Sequence, residues 1–534
     1  SSLVSLKGTK GFAPEVSLRI QELSGGWAAG IVLLTEDARF RDGLRAEALE
    51  TASREGIFDY FASEIFQQTD PATQEFLFKT SFLRKITEQT ATQLSGLSDA
   101  GRVLSDLARK NYFIQRHPGP EPAYQYHPLF RDFLQARARN VLGPEGVRAV
   151  QREAAGLLLK TGQVESAAAL YADAADWESL SRMLFSHANE LIQQGRSTTL
   201  QAWLTAIPRE HREGDPWLLY WQAMGTLPYD LRESRACLER AFPLFKRRKD
   251  AAGLYLSWCG IVDTFVLEWS DFTPLDHWIA ELETIMRADP RFPSPEIEAR
   301  VASAMFCALM YRQSHHADLP LWEARVRGIV METDDVRLKM LLSSHLALYY
   351  TWWTGDQAQA ELLINALRSS LHDLRVDPLS VIVWRSIEAA YSWMRGENKA
   401  CIEAVERGLD VANQNGIHLW DFMLLAQASF GAMTAGDIGT ASGYLRRMEF
   451  IFKTNRFLDL SHYHYHLAWE ALCLRDVSRA QAHIQTSVSL AEKSGDPFIL
   501  AFVVMGFAEV LMVQGKHSEA GKHLERARAI GISM

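Results

Sequence analysis

The sequence predicts an all-α protein: an α-α superhelix of stacked helix pairs, preceded by a small winged-helix domain. Three observations predict it. A turn signature recurs at a spacing near 40 residues in the C-terminal part of the chain. Strand-like alternation is almost absent after residue 145. Before that point, several helices give way to a short aromatic hairpin and then to helix again.

The repeat is written in the stretches WWTGDQAQA, WMRGENKAC, MTAGDIGTA, CLRDVSRA and MVQGKHSEA. Their turn positions, Gly355, Gly396, Gly436, Arg475 and Gly515, lie 41, 40, 39 and 40 residues apart. Five residues after each stands a small side chain: Ala360, Cys401, Ala441, Ala480 and Ala520. Two antiparallel helices joined by a tight turn require both features. Glycine takes the left-handed conformation that ends the first helix. The small residue lets the second helix pack closely. A second turn follows at Gly416 and Gly495, and Pro497 suits the first turn of the next helix. One pair cannot bury its own apolar face, so pairs stack. Upstream, Gly162 followed by Ala167 repeats the signature. Between about 200 and 345 the period blurs, although helical stretches such as RVASAMFCALMYRQ persist between breaks at AIPRE, DPRFPSP and ADLPL. The superhelix is therefore expected to run over 143–534.

Residues 55–142 read differently. GIFDYFASEIF is an amphipathic helix. DPATQEFLFKTSFL offers Asp70 as a cap and Pro71 at the first helical position. TEQTATQLSG closes on Gly96, and DAGRVLSDLARK has a basic last turn. NYFIQR and AYQYH flank HPGPEP as two strands around a turn, and HPLFRDFLQARARNVLG returns to helix. Helices followed by such a wing make a winged helix. The helix before the wing carries Arg102, Arg109 and Lys110, offset by Asp99 and Asp106. That is not a basic face, so direct DNA contact is not expected.

Composition narrows the classes further. The 534 residues are 47% hydrophobic and 23% charged, with a net charge of −9. This balance excludes a chain-wide nucleic-acid surface, which needs clustered Lys and Arg. Five scattered cysteines and no CxxC pair suit the cytoplasm rather than a disulfide framework. SGGWAAGIVLL holds an apolar run of about nine residues, against roughly 20 for a membrane span. FILAFVVMGFAEVLMV is longer but contains Glu509, and both read as buried helix.

The order of elements resembles the MalT-like, LuxR-type STAND regulators, a class of bacterial ATP-dependent transcription factors. GGWAAGIVLL resembles the segment that closes their nucleotide-binding region, so 1–54 is expected to be the tail of such a region. LSDLARKNYFI and YQYHPLF resemble segments of their winged helix, here 55–142. The 40-residue pairs resemble their TPR-like sensor, here 143–534. The resemblance implies an ATP/ADP switch in the full-length protein, an inducer or partner protein bound on the superhelix, and self-association when active. No GxxxxGK[ST] occurs in this sequence, so the ATPase core is expected outside it, and no enzyme activity or cofactor is expected in this chain. A constitutive TPR-like protein-interaction scaffold is the alternative.

Two sets of candidate residues follow. His127 matches the histidine that contacts the β-phosphate of ADP in STAND proteins, although Pro128 replaces the usual Asp. Its other reading is a histidine that ends the wing strand and opens a helix. Tyr350, Trp353, Trp384, Tyr391 and Trp420 fall on first helices of pairs, which usually line the concave surface. There they would form ring platforms for a sugar or peptide; singly, each reads as core between repeats. His462, His464 and His466 stand two apart, and only the outer two share a helix face. No metal site is expected from them or from His315 and His316.

Overall fold

A computed structural model describes residues 63, 66–67, 69–109, 113–119, 121–368, 376–451 and 456–532. The tail expected over 1–54 lies outside the described residues, as does nearly all of GIFDYFASEIF. The chain divides into two compact units, residues 1–183 and 184–534. Among the described residues they are helical apart from one small sheet.

In the first unit, α1 (Pro71–Thr80) begins at Asp70, whose carboxylate accepts the N–H groups of Ala72 and Thr73. Next come β1 (Ile86–Thr87) and α2 (Glu88–Ser95), which opens with a capping box between Thr87 and Thr90. Gly96, at φ 77°, ends α2 in the left-handed conformation. After α3 (Ala100–Arg109) come β2 (Ile114–His117) and β3 (Ala123–Tyr126), antiparallel with Ile114 opposite Tyr126. β1 adds to the free edge of β3, giving the order β1-β3-β2. This third strand was not expected, because two residues are too few to show an alternation. Phe76, Leu104, Tyr126, Phe130 and Leu134 fill the core between helices and sheet. The long helix α4 (Pro128–Lys160) bends at Gly143, which sits at φ 67° and ψ 173° just before Pro144. The first pair of the repeat follows: Gly162 is left-handed and Ala167 is fully buried.

The second unit is helix after helix. Every expected turn takes positive φ: 69° at Gly355, 77° at Gly396, 77° at Gly436, 63° at Arg475 and 76° at Gly515. Ala360, Cys401, Ala441 and Ala480 are completely buried and Ala520 nearly so, as close helix contact demands. The stretch with the blurred period is helical too. Its proline breaks fall between helices or at a helix start, as at Pro295 and Pro320. Aspartates accept the first N–H groups of helix after helix, including Asp250, Asp335, Asp377 and Asp496.

Within this unit, distant repeats meet along a seam. The peptide N–H of Phe272 donates to Ser494 O at 2.8 Å. Arg312 donates to Gly495 O at 3.0 Å, Arg456 to Glu268 O at 2.7 Å, and Phe457 N to Ser270 Oγ at 3.0 Å. These three bonds join residues 183 to 188 positions apart. Gly495 is needed there: a Cβ would lie 2.7 Å from Thr273 Cγ2.

Candidate functional site

Three neighbouring helices each place one polar group among apolar residues. Asp263 stands in IVDTFV of Ala251–Glu268, Arg300 in ARVASAM of Pro295–Arg312, and His345 in SSHLALY of Val336–Leu348. The three line one cavity of about 200 Å³, walled by Met224, Val266, Leu341, Leu379 and Val383. Arg300 donates to Asp263 Oδ2 at 2.5 Å, and Ser303 Oγ lies 3.2 Å from His345 Nδ1. An apolar pocket with a few converging polar groups is the usual form of a small-molecule site.

Burial pushes His345 down to about 4, with Asp263 pulling the other way, so the imidazole is neutral at pH 7. Burial opposes the charge on Arg300 most strongly, yet Asp263, Cys259 and Tyr220 together hold the guanidinium above its usual range. The site thus offers a fixed ion pair and an uncharged imidazole on an apolar wall. That suits a ligand with hydroxyl or carboxylate groups on a carbon frame. Ser303 and His345 have the identities of a nucleophile and its base. An imidazole that protonates only near 4 is a weak base at neutral pH, and the Asp263 carboxylate is engaged by Arg300.

The rings expected on an open concave surface are mostly in the core. Trp384 is wholly enclosed, and Tyr350, Tyr391 and Trp420 are buried. Trp353, on a π-helical turn (Tyr349–Trp353), is half-buried; it stacks on Phe498 at 4.5 Å and meets Tyr311 edge-on at 5.5 Å. Tyr350 donates its hydroxyl to Glu323. The expectation of exposed ring platforms is therefore corrected. Covering a large ring gains about 1.5–3 kcal/mol, and the adjoining repeats supply the cover. The indole N–H groups of Trp353, Trp384 and Trp420 have no hydrogen-bond partner among the described residues.

His127 opens α4; its N–H donates to Phe113 O at 2.7 Å, and the side chain is half-buried. The three spaced histidines face different neighbours. His462 Nδ1 bonds Leu458 O at 3.0 Å, His464 meets His483 at 3.0 Å, and His466 lies on Phe430, ring centres 4.0 Å apart. Among the described residues, no three His, Cys, Asp or Glu side chains converge as metal ligands. On α3, Arg102 pairs with Asp99 at 2.6 Å and Arg109 with Asp106 at 2.8 Å, so neither charge stands alone. The trio of Asp263, Arg300 and His345 was missed from sequence. Each is one polar residue among several in its helix, so spacing alone does not single it out.

The model of one family, the MalT winged helix domain, matches residues 62–145. This segment is similar to a MalT winged helix domain. The wing of this segment is the β2–β3 hairpin, and β1 completes its sheet. The HTH-type transcriptional regulator MalT of Cronobacter sakazakii is 28% identical over 213 residues, which are 39% of this chain. The chain covers 24% of that relative's length. A solved STAND protein with a tetratricopeptide repeat sensor from Pyrococcus horikoshii is 13% identical, with a TM-score of 0.42. That likeness covers 98% of this chain and 70% of the other. BtubC from P. vanneervenii is 19% identical with a TM-score of 0.30, over 40% of this chain and 87% of its own. Among the described residues one helix, Ala251–Glu268, is long and apolar enough to cross a membrane, and 61% of it is buried within the protein.

Proposed function

We propose that this chain is the signal-receiving part of a MalT-like STAND transcription regulator of the cytoplasm. A small-molecule inducer binds in the superhelix, in the cavity of Asp263, Arg300 and His345. The chain itself performs no catalysis and holds no cofactor; ATP or ADP belongs to a nucleotide-binding region outside it. Bound inducer favours the arrangement in which the full protein binds ATP and self-associates. It does so only to the extent that it binds that arrangement more tightly. DNA contact and membrane association are not roles of these residues.

The observation that carries this reading is the polar trio in an apolar cavity, formed by three helices of the superhelix. A constitutive scaffold would need an open recognition face, and the buried rings weigh against one. The test is a thermal-shift screen of sugars, amino acids and nucleotides on the whole chain, repeated with Asp263→Asn and Arg300→Met. A compound that raises the melting temperature of the parent chain but not of either variant supports the proposal. Silence across the screen, with a protein partner bound equally well by both variants, would replace it with the scaffold.

A further inference from the structure

The first unit holds a second cavity of quite different chemistry. The bend at Gly143 and Pro144 folds the two halves of α4 around a cleft of about 530 Å³. From the first half, Arg131, Gln135 and Arg139 recur at four-residue spacing and so share one face. The second half adds Arg148, and Arg84 enters from the loop after α1. The helix Val164–Asp173 closes the far side with Ser166, Ala169 and Leu170.

Four arginines face this cleft, and Asp173 is the one carboxylate among its described lining residues. The chain as a whole carries −9, so the clustering runs against the overall balance. Their pairing is incomplete. Among the described residues, the carboxylate paired with Arg131 is that of its chain neighbour Asp132, at 3.9 Å. Arg148 lies 3.7 Å from Glu145, whose carboxylate Arg152 holds at 2.8 Å. Among the described residues, no carboxylate forms an ion pair with Arg84 or Arg139. A concave wall focuses the field of such charges, and guanidinium forks suit phosphate and carboxylate oxygens.

We propose that this cleft binds a small polyanion, its phosphate or carboxylate groups held by Arg84, Arg131, Arg139 and Arg148. The size fits a small molecule, for which pockets run from about 300 to 1,000 Å³. A nucleic acid would call for a charged stripe along many phosphates, whereas these four arginines converge on one hollow. The ligand would contact both halves of α4, so its binding would hold the bend.

Isothermal titration of the whole chain with inorganic pyrophosphate and with citrate, at low and at physiological salt, tests this. The expected result is saturable one-to-one binding of at least one of them, weakened by salt. Binding of pyrophosphate alone assigns a phosphate-bearing ligand, and binding of citrate alone a polycarboxylate. Arg84→Glu and Arg139→Glu should each weaken it by about tenfold or more, the effect of losing one charge-assisted hydrogen bond. Arg139→Lys should retain part of the affinity, because it keeps the charge and loses the fork. Arg291→Glu, an exposed arginine paired with Asp289 in the other unit, should change nothing. Both cleft arginines are exposed, so their variants should melt like the parent. Absence of binding by both probes overturns the proposal. So does affinity unchanged in Arg139→Glu, or tighter binding of a DNA duplex at the same arginines.

Discussion

Arg475 holds a left-handed backbone where four sister turns have glycine. A side chain in that conformation costs roughly 1–2 kcal/mol. Arg475→Gly should therefore raise stability by about 1 kcal/mol, part of the gain being offset by the freer unfolded chain, as read by urea unfolding. Trp384 shows the opposite case. It is fully enclosed, and Trp384→Ala should cost about 3–5 kcal/mol in the same measurement. A loss below about 1 kcal/mol would mean that the ring is not packed as described. At this scale the sequence was partly legible. Asp70 and the turn glycines announce themselves because each has one conformational job. The tryptophans do not: helical spacing gives the face a ring is on, and says nothing about which element covers that face. Arg300 and Asp263 were hidden in the same way, since each looks like an isolated charge until the helices are set side by side.

Helix pairs were legible wherever one turn governs them. The 40-residue spacing survives the Arg475 exception because the small residue five positions on, Ala480, still marks the close contact. The period fades before residue 345 because there the breaks are made by proline and aspartate caps, which can be spaced freely. Two glycines at the ends of helices separate local from long-range demands. At Gly436 an added Cβ would meet nothing within 4 Å, so Gly436→Ala should cost only the conformational term, about 1 kcal/mol. At Gly495 the same methyl would press on Thr273 Cγ2 at 2.7 Å and Arg312 Nη1 at 3.1 Å. Gly495→Ala should therefore lower the melting temperature clearly more than Gly436→Ala. Equal shifts would place the seam apart from Gly495. Nothing in the sequence marked the seam, since it uses backbone carbonyls and arginines that look like ordinary surface residues.

The whole molecule buries several groups that titrate near neutrality. Burial holds His345, His462 and His464 at about 4 and places His466 well below the histidine range. Unfolded histidine titrates near 6.5, so the stability each contributes is lost as pH falls from about 6.5 toward 4. Asp459 and Asp496 are pushed up to about 7 by burial and act in the opposite sense, losing stability as pH rises from about 4 to 7. In the overlapping window the four imidazoles outnumber the two carboxyls. Unfolding at pH 5 is a net uptake of protons, and thermal melts should show lower stability at pH 5 than at pH 7. A melting temperature that climbs on acidification would contradict these placements.

Open solenoids change length freely, because each unit touches only its neighbours. The bonds from Glu268, Ser270 and Phe272 to Arg456, Phe457 and Ser494 remove that freedom. One pair of helices more, or one fewer, between those segments would carry the later partners away from the earlier ones. The number of repeats in this stretch is thus a geometric constant, as fixed as the number of strands in a closed barrel.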